Sequence, residues 1–195
     1  MTSIAGEMIA ADIHKLIARI ALYDDAAAYK ELFLLYHQKL VSFSSSITHS
    51  KESAEEVVSD VFFKIWTKRT SLTRIENFHL YIYIITKNLS INALVKQKRE
   101  KTFSIDDAQV EFRSFSLDPE QIMITAEMLN KIKTAIEELP PKCQMIFKLV
   151  KEDGFKIKEV AELFNLSAKT VENQMTIALR KIGGSIQFKL YKISS

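Results

Sequence analysis

The polar and charged side chains between positions 167 and 180 are of the kinds that read DNA bases. Asparagine and glutamine amides pair bidentately with adenine, a glutamate carboxylate accepts from cytosine, and lysine or arginine binds guanine or phosphate. The segment therefore predicts a DNA-contacting surface if one helix presents these side chains. The candidates are Ser167, Lys169, Thr170, Glu172, Asn173, Gln174, Thr176 and Arg180.

A helix-turn-helix motif is the element that would position them. Residues 156–182 read KIKEVAELFNLSAKTVENQMTIALRKI, which divides into two short amphipathic helices joined by Asn165, Leu166 and Ser167. Asn165 can adopt the left-handed conformation, and Ser167 can cap the second helix, the one that enters the major groove. A plain helical hairpin with a solvated polar face is the alternative. The residues expected in the local core are Val160, Leu163, Val171, Met175 and Ala178.

A second candidate surface is a helix, predicted over about residues 77–98, that carries aromatic residues and then a basic track. Cations can follow the phosphates of a separated DNA strand while aromatic rings receive unstacked bases. Ordinary packing is the alternative for the tyrosines. The aromatic residues are Phe78, Tyr81 and Tyr83, and the cations are Lys87, Lys96, Lys98, Arg99 and Lys101.

The composition predicts an all-α fold. Only 4 glycines and 3 prolines occur among 195 residues, 47% of which are hydrophobic, and turn clusters typical of β proteins are missing. A single cysteine, Cys143, and four scattered histidines predict no metal, no cofactor and a reducing, cytoplasmic compartment. No apolar run has the length of a membrane span, so no membrane insertion is expected. Glycine-rich phosphate loops and activated nucleophiles are missing too, which argues against an enzyme.

The charge distribution predicts two helical domains joined by a flexible acidic linker. Residues 87–101 contain five basic residues and one acid, whereas residues 102–120 contain five acids and one basic residue. The linker is placed at 102–120 because helical periodicity stops there. The flanking domains are residues 26–101 and 121–195. Residues 1–25 are an N-terminal extension, either an extra helix or a frayed end.

Apolar residues at three-to-four spacing predict the remaining helices. In the first domain the helices span residues 26–49 and 50–67, and in the second they span residues 121–139 and about ten residues ending at Asp153-Gly154. The broad apolar stripe of the first of these helices is formed by Leu32, Phe33, Leu35, Tyr36, Leu40 and Phe43.

Four segments resemble one family in the expected order. GFKIKEVAELFNLSAKTVENQMTIALRKI resembles region 4.2 of extracytoplasmic-function sigma factors, and EELPPKCQMIFKLVKEDG resembles their region 4.1. SAEEVVSDVFFKIW is similar to region 2.2, and FHLYIYIITKNLSINALVKQKR to regions 2.3 and 2.4. The resemblance implies a protein that binds core RNA polymerase, recognises minus-thirty-five DNA with its helix-turn-helix, and melts and reads the minus-ten element. It also implies an anti-sigma factor as a partner.

The resemblance assigns roles to individual residues. Asn88 is expected to read a flipped base in a pocket whose wall is the loop 71–77, and the linker is expected to thread through the polymerase, with a passive tether as the alternative. The other minus-ten candidates are Tyr81, Lys87, Lys96, Lys98 and Arg99. The expected polymerase contacts are Glu55, Glu56, Asp60, Phe63 and Trp66, with the acids opposite the apolar face formed by Val57, Val61 and Ile65.

Three departures from the family pattern concern the helix-turn-helix. Glu172 and Gln174 stand where many relatives carry basic residues, and Lys156 stands where a Ser or Thr helix cap is usual. An unusual minus-thirty-five sequence and low phosphate affinity are therefore expected.

The competing class of protein is a helix-turn-helix regulator that binds DNA as a homodimer without polymerase. That class gives no function to residues 53–66.

Overall fold

The computed structural model describes residues 4–100 and 126–193, and all of its regular elements there are helical. The chain forms two compact units, Met1–Ala108 and Gln109–Ser195. The all-α prediction and the two-domain prediction are confirmed. The predicted acidic linker, residues 102–120, and Lys101 lie outside the described residues.

In the first unit, residues 4–100 form four α-helices and a 3-10 helix. They are α1 (Ile4–Tyr23), α2 (Ala26–Thr48), α3 (Lys51–Thr67), the 3-10 helix Arg69–Arg74 and α4 (Phe78–Glu100). Helix α2 packs against α1, α3 and α4, so its buried side chains are the centre of this core. Leu32, Tyr36 and Leu40 are almost fully buried along one stripe of α2.

Leu35 does not belong to this apolar stripe, so that part of the prediction was wrong. Its side chain is 41% exposed, whereas the neighbouring Tyr36 is 2% exposed. Leu35 is rotated by about 100° from Tyr36 and lies beyond the edge of the buried stripe.

Helix α1 is an integral part of the first unit. Ile13, Ile17 and Ile20 recur at helical spacing and are all buried. Their helix packs against α2 and against the 3-10 helix Arg69–Arg74. That 3-10 helix occupies the first half of the segment 71–77 that was expected to be a loop, and Leu72 anchors it in the core with no exposed surface.

Polar side chains cap the N-terminal ends of α2 and α3. Asp25 caps α2 by accepting from the amides of Ala27 and Ala28 at 2.9 and 3.0 Å. Ser50 caps α3 by accepting from the Ser53 amide at 3.3 Å. These bonds satisfy amides that have no partner within their own helix.

The second unit contains α5 (Ala126–Glu137), α6 (Pro141–Lys151), α7 (Ile157–Phe164) and α8 (Ala168–Ile193). Helix α8 packs against the other three helices. Pro141 starts α6, where a missing amide hydrogen has no cost, and Gly154 adopts a φ of 79° in the turn that follows α6. Helix α8 has 26 residues and so is longer than the short helix expected.

The turn between α7 and α8 has the geometry expected from its residues. Asn165 is left-handed, with a φ of 53°, and the Leu166 amide donates to the Ala161 carbonyl at 2.8 Å. The Ser167 hydroxyl caps α8 by accepting from the Thr170 amide at 3.0 Å. At the start of α7, the Lys156 amide donates to the Glu159 carboxylate at 2.7 Å, which is the half of a capping box that the third helical residue supplies. None of the described helices is long and apolar enough to cross a membrane.

Candidate nucleic-acid and protein interfaces

Helix α8 presents a polar stripe opposite its buried face. Val171, Met175 and Ala178 are buried, with Val160 and Leu163 of α7, which confirms the predicted core of the motif. The opposite side spans about 16 Å, because eleven residues rise 1.5 Å each. Its exposed residues are Lys169, Glu172, Asn173, Thr176 and Arg180.

Two of the predicted base-reading residues lie at the side of this stripe. Thr170 and Gln174 are only half-exposed, and the Thr170 hydroxyl lies 2.8 Å from the Ser167 hydroxyl. Their positions follow from helix geometry, since each is rotated by about 100° from the preceding or following residue on the stripe. The prediction that both project outward was therefore correct only in part.

The stripe carries an ion pair that sequence spacing alone did not reveal. The Lys169 ammonium lies 3.6 Å from a Glu172 carboxylate oxygen, and both side chains are well exposed. Such an exposed pair contributes little to folding. It does, however, place an acid beside the cation nearest the start of α8, which reduces the attraction of that cation for phosphate.

Helix α4 presents a second exposed face. Tyr81, Asn88, Asn92 and Arg99 fall on one stripe, because their spacings of seven, four and seven residues are close to whole helical turns. Asn88, Asn92 and Arg99 are exposed, and Tyr81 is half-buried. The stripe extends for about 27 Å along the helix axis.

Cations and apolar side chains flank the α4 stripe. Lys96 is exposed beside it, Lys87 is half-buried on the flank, and the Lys98 side chain lies outside the described residues. Ile91 and Val95 are 43% and 44% exposed on the same side of α4, which sequence reasoning missed. Their four-residue spacing is a signal that could equally have indicated a buried face.

Two of the three aromatic rings expected to receive bases are core residues. Phe78 is 3% exposed and Tyr83 has no exposed surface. Their rings pack against Tyr36 and Phe43 of α2, with centroid separations of 6.0 and 5.1 Å. This part of the interpretation was wrong, because α4 needs these rings to pack on α2, and Tyr81 alone of the three reaches solvent.

Helix α3 presents an aromatic ring among acids. Phe63 exposes 69% of its surface, and Glu52, Glu56 and Asp60 are exposed on the same side of the helix. Val57, Val61 and Ile65 are buried on the other side, as predicted. The Phe63 ring is therefore not part of the core of this unit and lies in an acidic, exposed surface.

Glu55 and Trp66 are at the edge of this acidic face. Glu55 pairs with Lys51 at 3.5 Å. Trp66 is half-buried, with its ring 4.9 Å from that of Tyr29 and 4.8 Å from the Arg69 guanidinium carbon. Both residues therefore have partners within their own unit.

The described residues form no cluster that could hold a metal ion. No group of three or more His, Cys, Asp or Glu side chains converges among them. Burial raises the pKa of the Cys143 thiol, and the thiol donates to the Gln174 carbonyl at 3.3 Å. Cys143 therefore packs α6 against α8 as a protonated, small side chain.

Comparisons with known proteins agree with the two units. The family models described as Sigma-70 region 2 and Sigma-70, region 4 match residues 32–100 and 129–182. The ECF RNA polymerase sigma-E factor of Escherichia coli K12 is 27% identical over 171 residues, covering 84% of this chain and 88% of that protein. The ECF RNA polymerase sigma factor SigW of Bacillus subtilis is 22% identical over 158 residues, covering 77% and 84%.

A solved structure shares the fold. The sigma factor RpoE from Bartonella quintana, in complex with the anti-sigma factor NepR, aligns with a TM-score of 0.55 at 22% identity, over 82% of this chain and 96% of that chain. With its two matched regions in the order that the family requires, this chain belongs to the sigma-70 family, in its extracytoplasmic-function group. Its role is therefore in transcription initiation by RNA polymerase.

Proposed function

We propose that this protein directs core RNA polymerase to specific promoters by contacting two DNA elements and the polymerase through three separate helical faces. The observation that carries the proposal is the stripe on α4, which places the exposed Asn88 amide between Tyr81 and Arg99. A single exposed helix face thereby combines an amide that can read a base edge with groups that suit a separated strand.

The α4 stripe reads the minus-ten element. The Asn88 amide offers two donors and an acceptor to the edge of a base that has left the stack. Arg99 and Lys96 attract the strand's phosphates, with Lys87 and Lys98 adding charge to the same helix. Tyr81 provides an aromatic ring at the other end of the stripe. Affinity then comes from the cations and selectivity from Asn88.

The α8 stripe reads the minus-thirty-five element from the major groove. Asn173 suits adenine and Glu172 suits cytosine, while Arg180 suits phosphate or guanine. Since Lys169 is paired with Glu172 at 3.6 Å, phosphate attraction at the start of the helix is weak. Ser167, Thr170, Gln174 and Thr176 complete the contact surface.

The α3 face binds core polymerase. Phe63 inserts into an apolar site while Glu56 and Asp60 meet basic groups around it, an arrangement in which a desolvated ring supplies affinity and charges supply orientation. Glu55 and Trp66 contribute at the edge. The protein needs no catalytic centre or cofactor of its own, since the polymerase performs the chemistry, and it acts in the cytoplasm.

An anti-sigma factor is the proposed regulatory partner. The structural neighbour RpoE was solved in complex with the anti-sigma factor NepR, and in this chain the exposed faces of α3 and α4 are surfaces that such a protein could cover. The acidic residues of the segment 102–120 are proposed to enter the polymerase, where negative charge imitates nucleic acid.

Replacing Asn88 with Ala tests the minus-ten assignment. We expect about a tenfold or greater loss of discrimination among minus-ten elements that differ at one base, because a bidentate base contact contributes about 1–3 kcal/mol. Affinity for core polymerase should not change. Initiation from a set of single-base promoter variants measures the discrimination.

Gln38→Ala is the matched control, since it also removes an exposed side-chain amide from the first unit but lies on α2 rather than α4. It should retain the discrimination of the unaltered protein. Equal loss at all promoters for Asn88→Ala, with discrimination unchanged, would show that Asn88 does not read a base.

A further inference from the structure

Two neighbouring side chains on the later turns of α8 can offer methyl groups to a partner. Leu179 is 52% exposed, whereas Ala178 and Ile182, on the core side of the same helix, are buried. Thr176 is also exposed and lies three residues before Leu179. Residues at this spacing are neighbours on a helix surface. We call Thr176 and Leu179 the methyl pair.

The Thr176 hydroxyl is bonded to its own helix. It donates to the Glu172 carbonyl, one turn back, at 2.9 Å. A hydroxyl has a single hydrogen to donate, so this bond leaves no donor for the edge of a base. The methyl group of Thr176 is not used in this way. Thr176 is therefore suited to an apolar contact, although its residue type alone indicates a polar one.

The methyl pair lies on the side of α8 that carries the polar stripe. Thr176 belongs to the stripe and is one turn beyond Glu172 and Asn173. Leu179 lies at the edge of the stripe, beside Arg180, about 20° around the helix from Glu172 and about 10 Å further along the axis. The stripe therefore changes along its length, from acidic and amide groups to methyl groups.

Methyl groups on a base-reading surface match one feature of DNA. Thymine has a methyl group at C5 that faces the major groove, and the other bases have none. An apolar side chain, or the methyl group of a threonine, contacts it and removes apolar surface from water. A single exposed leucine needs no explanation. Leu179, however, is adjacent to a threonine on this stripe whose hydroxyl hydrogen is already bonded.

We propose that the methyl pair makes this protein selective for thymine in the part of the minus-thirty-five element that faces the later turns of α8. This inference rests on the proposed function, in which the stripe lies in the major groove. Leu179 is then a specificity-determining residue that contacts the thymine methyl group, and Thr176 contributes its own methyl group beside it. Glu172 and Asn173 read other base pairs of the same element.

Two substitutions of Thr176 separate its methyl group from its hydroxyl. Thr176→Ser removes the methyl group and keeps the hydroxyl, whereas Thr176→Val replaces the hydroxyl with a second methyl group. Recognition through methyl groups predicts that Thr176→Ser loses preference for thymine and that Thr176→Val keeps it. Recognition through the hydroxyl predicts the reverse. Leu179→Ala tests the leucine, with Leu34→Ala as the matched control, since Leu34 is 68% exposed on α2 of the other unit.

Uracil isolates the contact on the DNA side, because it lacks only the C5 methyl group of thymine. Synthetic duplexes of a promoter identified by run-off transcription carry uracil in place of one minus-thirty-five thymine at a time. Initiation by holoenzyme containing the unaltered protein should fall about threefold to fivefold for at least one replacement, the size expected for one buried methyl group. Leu179→Ala should respond to that replacement by less than about twofold, since one partner of the contact is already missing.

Asn173→Ala, measured on promoters with single-base changes in the minus-thirty-five element, tests the proposed function separately. If Asn173→Ala loses discrimination while Leu179→Ala and the unaltered protein respond equally to every uracil, thymine recognition by the methyl pair is wrong. Weaker core polymerase binding by Leu179→Ala, with its response to uracil unchanged, would also overturn the inference and place Leu179 in a protein contact. If Asn173→Ala keeps discrimination, the minus-thirty-five assignment itself fails. Far-ultraviolet circular dichroism should be unchanged in all variants.

Discussion

At the scale of single residues, Phe63 is the clearest sign of a partner. Its ring is 69% exposed within an acidic surface, while the neighbouring Phe62 is 3% exposed. Exposing a large ring to water is unfavourable, and covering it on binding gains that free energy. Of two adjacent phenylalanines on α3, Phe62 is therefore part of the core, and Phe63 is available for the proposed contact with polymerase.

Phe63→Ala should weaken core polymerase binding by about tenfold or more, because buried aromatic anchors often contribute 2 kcal/mol or more to an interface. The free energy of unfolding should change little. Leu34→Ala is the matched control, since Leu34 is 68% exposed on α2. A titration of labelled protein with core polymerase measures the affinities, and equal affinities for the two variants would contradict the assignment of α3.

The stability that Asp25 contributes by capping α2 depends on pH, and its hydrogen bonds determine in which pH range this stability is lost. The Ala28 amide, then the ion pair with Arg19, lowers the pKa of the Asp25 carboxyl. The stabilisation is therefore fully present above the ordinary aspartate pKa of about 3.9 and is lost as the pH falls through the lowered value in the folded protein.

Asp25→Ala should accordingly lower the urea midpoint of the first unit by a constant amount from pH 7 down to about pH 5, and by progressively less at lower pH. Asp12→Ala, which removes an exposed acid from within α1, serves as control. Urea titrations followed by circular dichroism measure the difference. A difference independent of pH would mean that the ionised carboxylate is not the cause.

The conformations of some residues could be predicted from the chemistry of their own side chains. Asn165 and Ser167 adopt the predicted turn and cap because the preference of each side chain for its conformation is local. The burial of Tyr83 and the exposure of Phe63 were harder to predict. Helical spacing shows that aromatic residues share a helix, but it does not show which of them a neighbouring helix covers.

At the scale of elements, α2 and α4 are held close by small hydroxyl side chains. The Ser44 and Ser90 oxygens lie 2.8 Å apart with no exposed surface, and the Ser90 hydroxyl also reaches the Thr86 carbonyl at 2.8 Å. Each serine hydroxyl is a hydrogen-bond partner for the other. Larger side chains at these two positions would push the helices apart. The interface therefore fixes α4, and with it the face that carries Asn88.

Ser90→Leu should reduce the free energy of unfolding by about 1–3 kcal/mol, because extra methylenes in a packed core force the helices apart. Ser59→Leu is closely matched, as the Ser59 hydroxyl also bonds the carbonyl four residues back, at 2.9 Å, but is exposed. Ser59→Leu should unfold like the unaltered protein. Chemical denaturation compares them, and an unaffected Ser90→Leu would contradict the tight α2–α4 contact.

Sequence periodicity predicted the main helices because their apolar residues recur every three to four positions. It did not predict the 3-10 helix Arg69–Arg74, whose formation depends on packing by α1 and on the buried Leu72. Nor did it determine whether residues 1–25 form a helix, although the buried isoleucines of α1 have helical spacing.

At the scale of the whole molecule, two units with separate cores carry separate binding faces. The first unit combines the α3 face with the α4 stripe, and the second presents the α8 stripe. Under the proposed function, promoter selection would require both units, because each would read one element, whereas polymerase binding through α3 would require only the first. The sequence predicted this division from its charge reversal and its two motif sets, while the side-chain pairings needed the folded chain.

Run-off transcription tests the central claim most directly. Purified core RNA polymerase, this protein and a library of promoter fragments from its own genome are combined, and transcripts are mapped. We predict initiation at specific starts only when the protein is present, with two shared sequence elements upstream of those starts. Absence of such transcripts, together with palindromic DNA binding that does not require polymerase, would contradict the account and identify a homodimeric regulator.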